Sequence, residues 1–307
     1  MKVVAFSGGV GGARLVDGLA AQLRADELTV VVNTGDDFRH CGLWVCPDLD
    51  TVMYTLSGRA PVARGWGLAE ETYTAMDGLK TLGGPDWFAL SDQDLATHLL
   101  RSQRLDEGHS LRQITHELMT AHAITTTVLP MCNAPHPTQL HTSAGLLDFQ
   151  DWFVARRAEP SVQRVVFPKA GAALPAAVKA VEDADLIIMT PSNPYLSIDP
   201  ILSLAALNQA LAKRRCLCIG VSPIVGGRAI KGPLATLIPA LAGRPASAAA
   251  VADHYGDYVD GWVVETGDET GISKPSMGTA TIMHDRQSRK QLAGAVLGWA
   301  QTLGSRP

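Results

Sequence analysis

Short apolar runs rich in β-branched residues alternate with amphipathic stretches along the chain. The apolar runs lack strict polar alternation, which is typical of strands covered on both faces. They predict strands over residues 3–7, 28–32, 126–131, 162–167, 186–189, 216–221 and 258–265. Apolar stripes at helical spacing predict helices over residues 13–23, 202–212 and 287–303. This order predicts an α/β fold, Rossmann-like and doubly wound, with a mostly parallel sheet.

The pattern changes from about residue 48 to residue 123, where several helices follow one another without a convincing strand. We therefore expect two parts. Residues 1–47 and 160–307 would form a Rossmann-like core that binds a nucleotide or phosphate. Residues 48–159 would form a mainly helical insertion after the second strand, with a small strand-rich return segment at its end.

Composition narrows the class of protein. The chain has 307 residues, a net charge of −4, 46% apolar and 18% charged residues, which argues against disorder and coiled coil. Mild acidity argues against a nucleic-acid partner. No apolar run reaches the ~18 residues of a membrane helix, and the N-terminal apolar stretch is too short for a signal peptide. We expect a cytoplasmic protein with no nucleic-acid or membrane partner.

A glycine-rich loop follows the first strand and precedes a helix. Its glycines permit close approach of the backbone to a ligand, and the free amides at a helix start favour an anion. These features make Gly8, Gly9, Gly11 and Gly12 candidates for holding a phosphate or nucleotide. The alternative is a tight turn with no ligand.

The loop lacks the key residues of two common nucleotide motifs. A P-loop ends in Gly-Lys-Ser/Thr, whereas this loop ends in Gly-Ala-Arg. A dinucleotide fingerprint would place its third glycine at Arg14 and an acidic residue where Asn33 ends the second strand. A nucleotide diphosphate held in a different pose stays open.

Four aspartates follow the second strand. Asp36 and Asp37 come directly after it, and Asp48 and Asp50 follow in a Pro-Asp-Leu-Asp sequence. Carboxylates beside a phosphate site repel the ligand unless a metal bridges them, as Mg²⁺ does. The alternatives are structural: a turn at Asp36 and Asp37, and a helix N-cap at Asp48 with Asp50 in the first helical turn.

Two later strands end in loops with polar donors. Ser192 and Asn193 follow residues 186–189, and Ser222 follows residues 216–221. In a doubly wound sheet the strand at 186–189 lies beside the first strand, so its loop faces the glycine loop across the switch point where ligands bind. These residues are candidates for contacts with a phosphate or base.

Six sequence blocks together identify a family. They are residues 7–15, 31–37, 47–54, 91–98, 191–194 and 221–227. In order and content they resemble the 2-phospho-L-lactate transferase family of coenzyme F420 biosynthesis. The resemblance implies a transferase of the substituted-phosphate class that needs Mg²⁺ and forms a homodimer.

The resemblance also implies the substrates. The acceptor would be the deazaflavin Fo, and the donor a guanosine diphosphate conjugate of a three-carbon acid. The ribityl hydroxyl of Fo would attack the phosphorus that carries the acid, and GMP would leave. The transferred group would be 2-phospholactyl, enolpyruvyl phosphate or 3-phosphoglyceryl, among which the sequence does not discriminate.

Roles for individual residues follow from the matched blocks. Asp50 would be catalytic and would meet both metal and acceptor, with Asp36 and Asp37 as further metal ligands. Gly8, Gly9, Gly11, Gly12, Ser192, Asn193 and Ser222 would hold the donor. Thr97, His98 and Arg101 would contact the acceptor, although a structural role for His98 is the alternative.

One position departs from the family pattern. Members usually carry a basic residue where this chain has Ala89, which puts one acceptor contact in doubt. Two other functions stay as alternatives: a non-catalytic nucleotide-sugar-binding regulator of the gluconeogenesis-factor type, and an NAD-type oxidoreductase. Because Asn keeps the shape of Asp, Asp50→Asn is expected to preserve folding while it reduces turnover.

Overall fold

The computed structural model describes residues 1–61 and 64–304. Its strands are β1 (Val3–Ser7), β2 (Leu28–Val32), β3 (Phe38–His40), β4 (Leu43–Val45), β5 (Thr127–Pro130), β6 (Gln139–Thr142), β7 (Gly145–Asp148), β8 (Val162–Val166), β9 (Leu186–Met189), β10 (Leu217–Val221), β11 (Ile224–Val225), β12 (Arg228–Ala229), β13 (Gly261–Glu265) and β14 (Ser276–Thr279).

The α-helices are α1 (Gly9–Ala20), α2 (Pro47–Leu56), α3 (Thr74–Thr81), α4 (Asp92–Asp106), α5 (Leu111–Ala121), α6 (Pro175–Glu182), α7 (Asp199–Leu202), α8 (Ala205–Ala212), α9 (Leu234–Ala242), α10 (Ala248–Tyr255) and α11 (Arg286–Thr302). Short π-helical turns lie at Asp151–Ala155 and Pro194–Ile198, and a 3₁₀ turn lies at Gly256–Tyr258.

A seven-stranded sheet with the order β14-β13-β10-β9-β1-β2-β5 forms the centre of the molecule. Every neighbouring pair in it is parallel. The chain builds outward from β1 through β2 to β5, then returns to β9 and builds outward in the other direction. The switch point therefore lies between β1 and β9, and the predicted Rossmann-like doubly wound sheet is confirmed.

Both faces of this sheet are covered. In β1, Val3 and Ala5 pack into the core on one face, and Val4 and Phe6 pack into the core on the other. All four side chains are buried, which explains why the strand reads as a continuous apolar run. On the face of Val3 and Ala5, α1 packs against both α2 and α11.

The predicted strand at 162–167 does not enter the central sheet. It forms β8, which pairs antiparallel with β6 in a separate three-stranded sheet of order β7-β6-β8. Gln163 and Arg164 are both exposed, so the segment is not buried on both faces as the predicted strand required. The apolar residues that suggested a buried strand serve this small sheet instead.

The region after β2 differs from the expected insertion in two details. The β3–β4 hairpin precedes α2, and its strands of three residues each are too short to give a recognisable period. β5, within the residues assigned to the insertion, is an edge strand of the central sheet. The helices α2 to α5 lie where the pattern predicts consecutive helices. The division into domains itself stays a prediction.

None of the helices in the described ranges, 1–61 and 64–304, combines the length and the apolar character that crossing a bilayer requires.

Close packing of α1 on α11 gives a test of the fold. A Cβ on Gly18 would overlap the backbone carbonyl of Arg289, whereas one on Gly298, on the exposed side of α11, meets no atom. Gly18→Ala should lower the free energy of unfolding by about 1–3 kcal/mol through overpacking. Gly298→Ala should raise it by about 0.5–1 kcal/mol, because alanine restricts the unfolded chain. Urea unfolding measures both, and equal effects would contradict the packing described.

Candidate active site

The glycine loop and the loop after β9 are joined across the switch point. The Ser192 hydroxyl accepts a hydrogen bond from the Gly8 amide at 3.1 Å and donates one to the Gly8 carbonyl at 2.7 Å. The Thr190 hydroxyl donates to the Phe6 carbonyl at 2.8 Å. The predicted approach of these two loops is therefore present, and the Ser192 hydroxyl is used to hold them together.

Three of the loop's glycines are required by neighbouring protein atoms. A Cβ on Gly8 would overlap the Asp48 carboxylate. One on Gly11 would overlap the Pro191 carbonyl, and one on Gly12 would overlap hydroxyls of the adjoining loop ends. The small residues thus let the loop pack closely against the rest of the site.

Gly9 is different, because its φ of +64° lies in the left-handed region and a Cβ there would meet no atom. Glycine is needed at this position for its backbone conformation. Gly9 is the first residue of α1, a helix of 12 residues. The preceding residue, Gly8, has no side chain with which to cap the helix. The start of α1 faces the cavity and suits an anion.

The Asn33 side chain connects the glycine loop to the acidic segment. Its Nδ2 donates to Asp36 Oδ1 and to Asp48 Oδ2, each at 2.9 Å. The other oxygen of Asp48, Oδ1, accepts the Gly9 amide at 2.6 Å. The side-chain Oδ1 of Asn33 accepts a hydrogen bond from the Gly35 amide at 2.8 Å. Asn33 therefore fixes the distance between two carboxylates and, through Asp48, the position of the glycine loop.

The alternative that Asp48 is the N-cap of α2 is wrong. α2 begins at Pro47 with Cys46 as the preceding residue, and no side chain caps it. Asp48 reaches across to Gly9 instead. A sequence signal was available, because proline is favoured at the first helical position and so places Asp48 one residue inside the helix.

Asp36 and Asp48, the two carboxylates that accept hydrogen bonds from Asn33, both have raised pKa values. Burial, and then the charge of Asp48, raise the pKa of Asp36 well above its ordinary value. Burial raises the pKa of Asp48 to about 6, although the hydrogen bonds from Asn33 and Gly9 oppose the shift. A cation between these carboxylates would relieve both causes.

Asp37 is buried beside this pair but does not line the cavity. Within the described part of the chain, no N–H or O–H group donates to either of its carboxylate oxygens. Burial raises the pKa of its carboxyl strongly, while the Cys46 thiol and the charge of Arg101 oppose the shift. The structure thus separates Asp37 from Asp36, with which sequence reasoning grouped it.

Asp50 forms a buried ion pair with Arg101. Arg101 Nη1 donates to Asp50 Oδ2 at 3.1 Å, and Nη2 donates to Oδ1. Both residues are buried, Arg101 with an exposed fraction of 2%. Burial raises the pKa of Asp50, whereas Arg101 lowers it. The carboxylate lines the cavity, but Arg101 lies behind it.

His98 completes this group. Its Nδ1 lies 3.2 Å from Arg101 Nη1 and 3.7 Å from Asp50 Oδ2. Burial and the Arg101 charge lower the pKa of His98 to about 3, so the ring is neutral at pH 7. Of the four residues expected to meet the acceptor, Asp50 and His98 line the cavity, whereas Thr97 and Arg101 do not. Thr97 accepts a hydrogen bond from the Tyr54 hydroxyl at 3.1 Å.

These residues surround one cavity of about 610 Å³. Its polar wall is made by the glycine loop, the loops after β9 and β10, and four carboxylates. They are Gly8, Gly9, Gly11, Ser192, Asn193, Ser222, Asp36, Asp48, Asp50 and Asp94. Its apolar wall contains Trp66, Trp87, Phe88, Phe149 and Phe153. Groups that suit phosphates and groups that suit a flat ring system therefore line the same cavity.

The residues that reasoning from sequence missed belong mostly to the insertion. Asp94 and Tyr54 line the cavity, and neither was assigned a role. Asp94 stands four residues before His98 on α4, so both lie on one helix face. That spacing was the available signal.

A divalent cation fits the Asp36–Asp48 pair. No group of three His, Cys, Asp or Glu side chains in residues 1–61 and 64–304 is arranged to hold a metal ion. Mg²⁺ does not need three protein ligands, because it commonly binds one or two carboxylates together with substrate phosphates and water. Asp36 and Asp48 meet that requirement beside the start of α1, and Asp50 is already neutralised by Arg101.

Comparison with known proteins places the site in a family. The family model for "2-phospho-L-lactate transferase CofD" matches residues 3–298. The chain belongs to the CofD family. This match covers nearly the whole chain and includes every element that lines the cavity. It confirms the family predicted from the six sequence blocks, and it confirms that the protein is a transferase of this type.

Named CofD relatives align over almost their full length. A phosphoenolpyruvate transferase of Kitasatospora aureofaciens is 39% identical over 98% of this chain and 98% of its own. A phosphoenolpyruvate transferase of Thermobifida fusca is 38% identical over 100% of both chains. A 2-phospho-L-lactate transferase of Methanosarcina mazei is 35% identical over 96% of this chain and 99% of its own.

A solved structure shares the fold. A member of the UPF0052 family from Bacillus halodurans superposes with a TM-score of 0.66 over 96% of this chain and 98% of that one. Its sequence identity is 15%, so the likeness concerns the fold alone.

The Asp50–Arg101 pair is expected to dominate stability at the site. Asp50→Asn leaves the Arg101 charge buried without its carboxylate, so the free energy of unfolding should fall by about 3–5 kcal/mol. This differs from the expectation that the substitution preserves folding. The double variant Asp50→Asn/Arg101→Met should recover part of the loss, which a double-mutant cycle in urea would show. Strictly additive single effects would contradict the pairing.

Stability should also depend on pH through Asp48. Because its folded pKa is about 6, against an ordinary value of about 4, the folded protein holds a proton in this window that the unfolded chain releases. The free energy of unfolding therefore falls as pH rises from about 4 to about 6. Asp48→Asn removes this titration and should flatten the profile. Urea unfolding across this range measures both profiles, and parallel curves would contradict the raised pKa.

Proposed function

We propose that this CofD protein acts in coenzyme F420 biosynthesis. It would transfer a phospho-(three-carbon acid) group from a guanosine diphosphate conjugate to the ribityl hydroxyl of the deazaflavin Fo, releasing GMP. The observation that carries the proposal is that one cavity joins the start of α1, a pair of buried carboxylates and an aromatic wall. The names of the relatives support the reaction type, and they include both phosphoenolpyruvate and 2-phospho-L-lactate transferases.

The donor diphosphate would lie at the start of α1. Backbone amides and the helix dipole favour a phosphate there. Asp48 Oδ1 already accepts a hydrogen bond from the Gly9 amide at 2.6 Å. The negative charge of Asp48 would therefore repel a phosphate bound without a cation. Lys231 also lines the cavity and would add a positive charge near the donor.

Mg²⁺ would be held by Asp36 and Asp48. When bound, it would neutralise charge on the phosphoryl oxygens of the donor. The Asn33 amide would keep the two carboxylates in place before the ion arrives, because it donates to both. In this arrangement Asp37 and Asp50, which sequence reasoning assigned to the metal, are not its direct ligands.

The acceptor ring would pack against the aromatic wall. Trp87 and Phe88 lie edge to face with ring centroids 5.7 Å apart. Ala89 adjoins them and lines the cavity without a charge. The position at which family members carry a basic residue therefore offers only apolar contact here. We further propose a homodimer, a state supported by the family resemblance.

Catalysis at this site would rest on positioning and charge rather than on a covalent enzyme intermediate. Phosphoryl transfer gains most from in-line alignment and neutralisation of charge on the transferred group. The glycine loop would orient the donor, and Asp50, held by the Nη1 and Nη2 atoms of Arg101, would present a fixed carboxylate oxygen as a hydrogen-bond acceptor for the attacking hydroxyl.

The direct test incubates the protein with Fo, Mg²⁺ and a mixture of the lactyl, enolpyruvyl and glyceryl donors, and measures product mass and GMP release. One product mass together with stoichiometric GMP is expected. Binding of the donor without GMP release would instead favour a nucleotide-binding regulator.

The proposed cation site gives a sharper test. Asp36→Asn should lower turnover at least a hundredfold at fixed Mg²⁺ and raise the Mg²⁺ concentration needed for half-maximal rate about tenfold or more. Asp26→Asn serves as the matched control, because that aspartate is exposed and pairs only with surface charge. Unchanged Mg²⁺ dependence in Asp36→Asn would remove this residue from the cation site.

A further inference from the structure

Asp94 is the cavity carboxylate that is most open to a substrate. Its backbone amide donates to the Ser91 hydroxyl at 3.0 Å, which places it in the first turn of α4. The side chain is half-buried and lines the cavity, whereas Asp36, Asp48 and Asp50 are all buried. A substrate hydroxyl entering the cavity can therefore reach Asp94.

The other three cavity carboxylates already accept strong hydrogen bonds. Asn33 donates to Asp36 and Asp48, and Arg101 donates to both oxygens of Asp50. No N–H group in the described part of the chain donates to the Asp94 carboxylate, and the neighbouring Tyr54 hydroxyl donates to Thr97 Oγ1 at 3.1 Å. Asp94 thus keeps lone pairs free for a substrate proton.

We propose that Asp94 is the catalytic general base for the acceptor hydroxyl, an inference that rests on the proposed transfer reaction. The hydroxyl O–H bond breaks and its proton passes to the Asp94 carboxylate. The hydroxyl oxygen forms a bond to the phosphorus that carries the three-carbon acid. The bond from that phosphorus to the bridging oxygen breaks, and GMP leaves with the electron pair. Asp94 then releases the proton to water.

The surroundings of Asp94 suit this task. Burial raises the pKa of the Asp94 carboxyl, the polar Tyr54 hydroxyl beside it lowers that pKa, and the charge of Asp50 raises it. His98 from the same helix lowers the pKa, and Glu71 from the preceding segment raises it. The net direction is upward, which makes the carboxylate a stronger base than an exposed aspartate. Asp50, tied to Arg101, would position the hydroxyl rather than accept its proton.

The test compares single-turnover rates of wild type, Asp94→Asn, Asp94→Glu and Asp106→Asn with saturating Fo, donor and Mg²⁺. Asp94→Asn should be at least a hundredfold slower, with Fo affinity within about threefold of wild type, and should lose the acid limb of the pH–rate profile. Asp94→Glu should recover part of the rate. Asp106→Asn, exposed at the far end of α4, should match wild type.

The outcomes separate this inference from the proposed function. No GMP release by wild type overturns both. Normal wild-type turnover with an Asp94→Asn rate within tenfold overturns the base alone. A slow Asp94→Asn that keeps the acid limb also overturns it, because a purely structural role lowers the rate without removing a titration. If Asp94→Asn does not fold, the Asp94→Glu variant decides: a wild-type pH–rate profile in it contradicts the assignment.

Discussion

The side-chain amide of Asn33 is the contact on which the site depends. One nitrogen donates to Asp36 and Asp48, and Asp48 in turn binds the first amide of α1. Three separate segments, namely the end of β2, the start of α2 and the glycine loop, are thereby held in one geometry. An amide is suited to this position because it supplies donors to two carboxylates without adding charge. An acidic residue at the same place, as in dinucleotide-binding proteins, would repel both.

Several carboxylates lie in or beside the cavity, and the described residues provide a positively charged partner for only some of them. Asp50 receives a buried guanidinium, whereas Asp36 and Asp48 share an amide and Asp37 receives no N–H or O–H donor from the described residues. Buried carboxylates without a cation have raised pKa values and destabilise the protein when they ionise. Under the proposed function, a divalent ion and a donor phosphate would stabilise each other at this pair beside the helix N-terminus. That complex would offset the free-energy cost of burying the two carboxylates.

Much of the fold followed from local pattern. β1, β2 and β9 are buried on both faces, so their apolar runs identified them, and their parallel order placed the switch point between β1 and β9. β8 was assigned to a buried strand because its valines outnumber its two polar residues, Gln163 and Arg164, which are both exposed in the separate sheet that β8 joins. β3, β4 and β14 each have three or four residues, and their place is decided by tertiary pairing rather than by local propensity.

The site was predictable to the extent that it lies at strand ends. The glycine loop, Asp36, Ser192, Asn193 and Ser222 meet as the topology required. The partners of these residues were not predictable, because Asn33 to Asp48 and Asp50 to Arg101 are contacts between distant segments. Asp37 shows this limit, since it follows Asp36 directly in sequence and yet does not line the cavity. The role proposed for Asp94 could not be predicted, because it depends on which other carboxylates already accept hydrogen bonds.

The most direct test of the central claim is a crystal structure of the protein with a guanosine diphosphate nucleotide and Mg²⁺. The claim predicts phosphate oxygens within about 2.7–3.2 Å of the amides at the start of α1. It also predicts the cation on Asp36 and Asp48, with Asn33 still between them. Phosphates bound elsewhere in the cavity, or a cation coordinated by neither carboxylate, would contradict it.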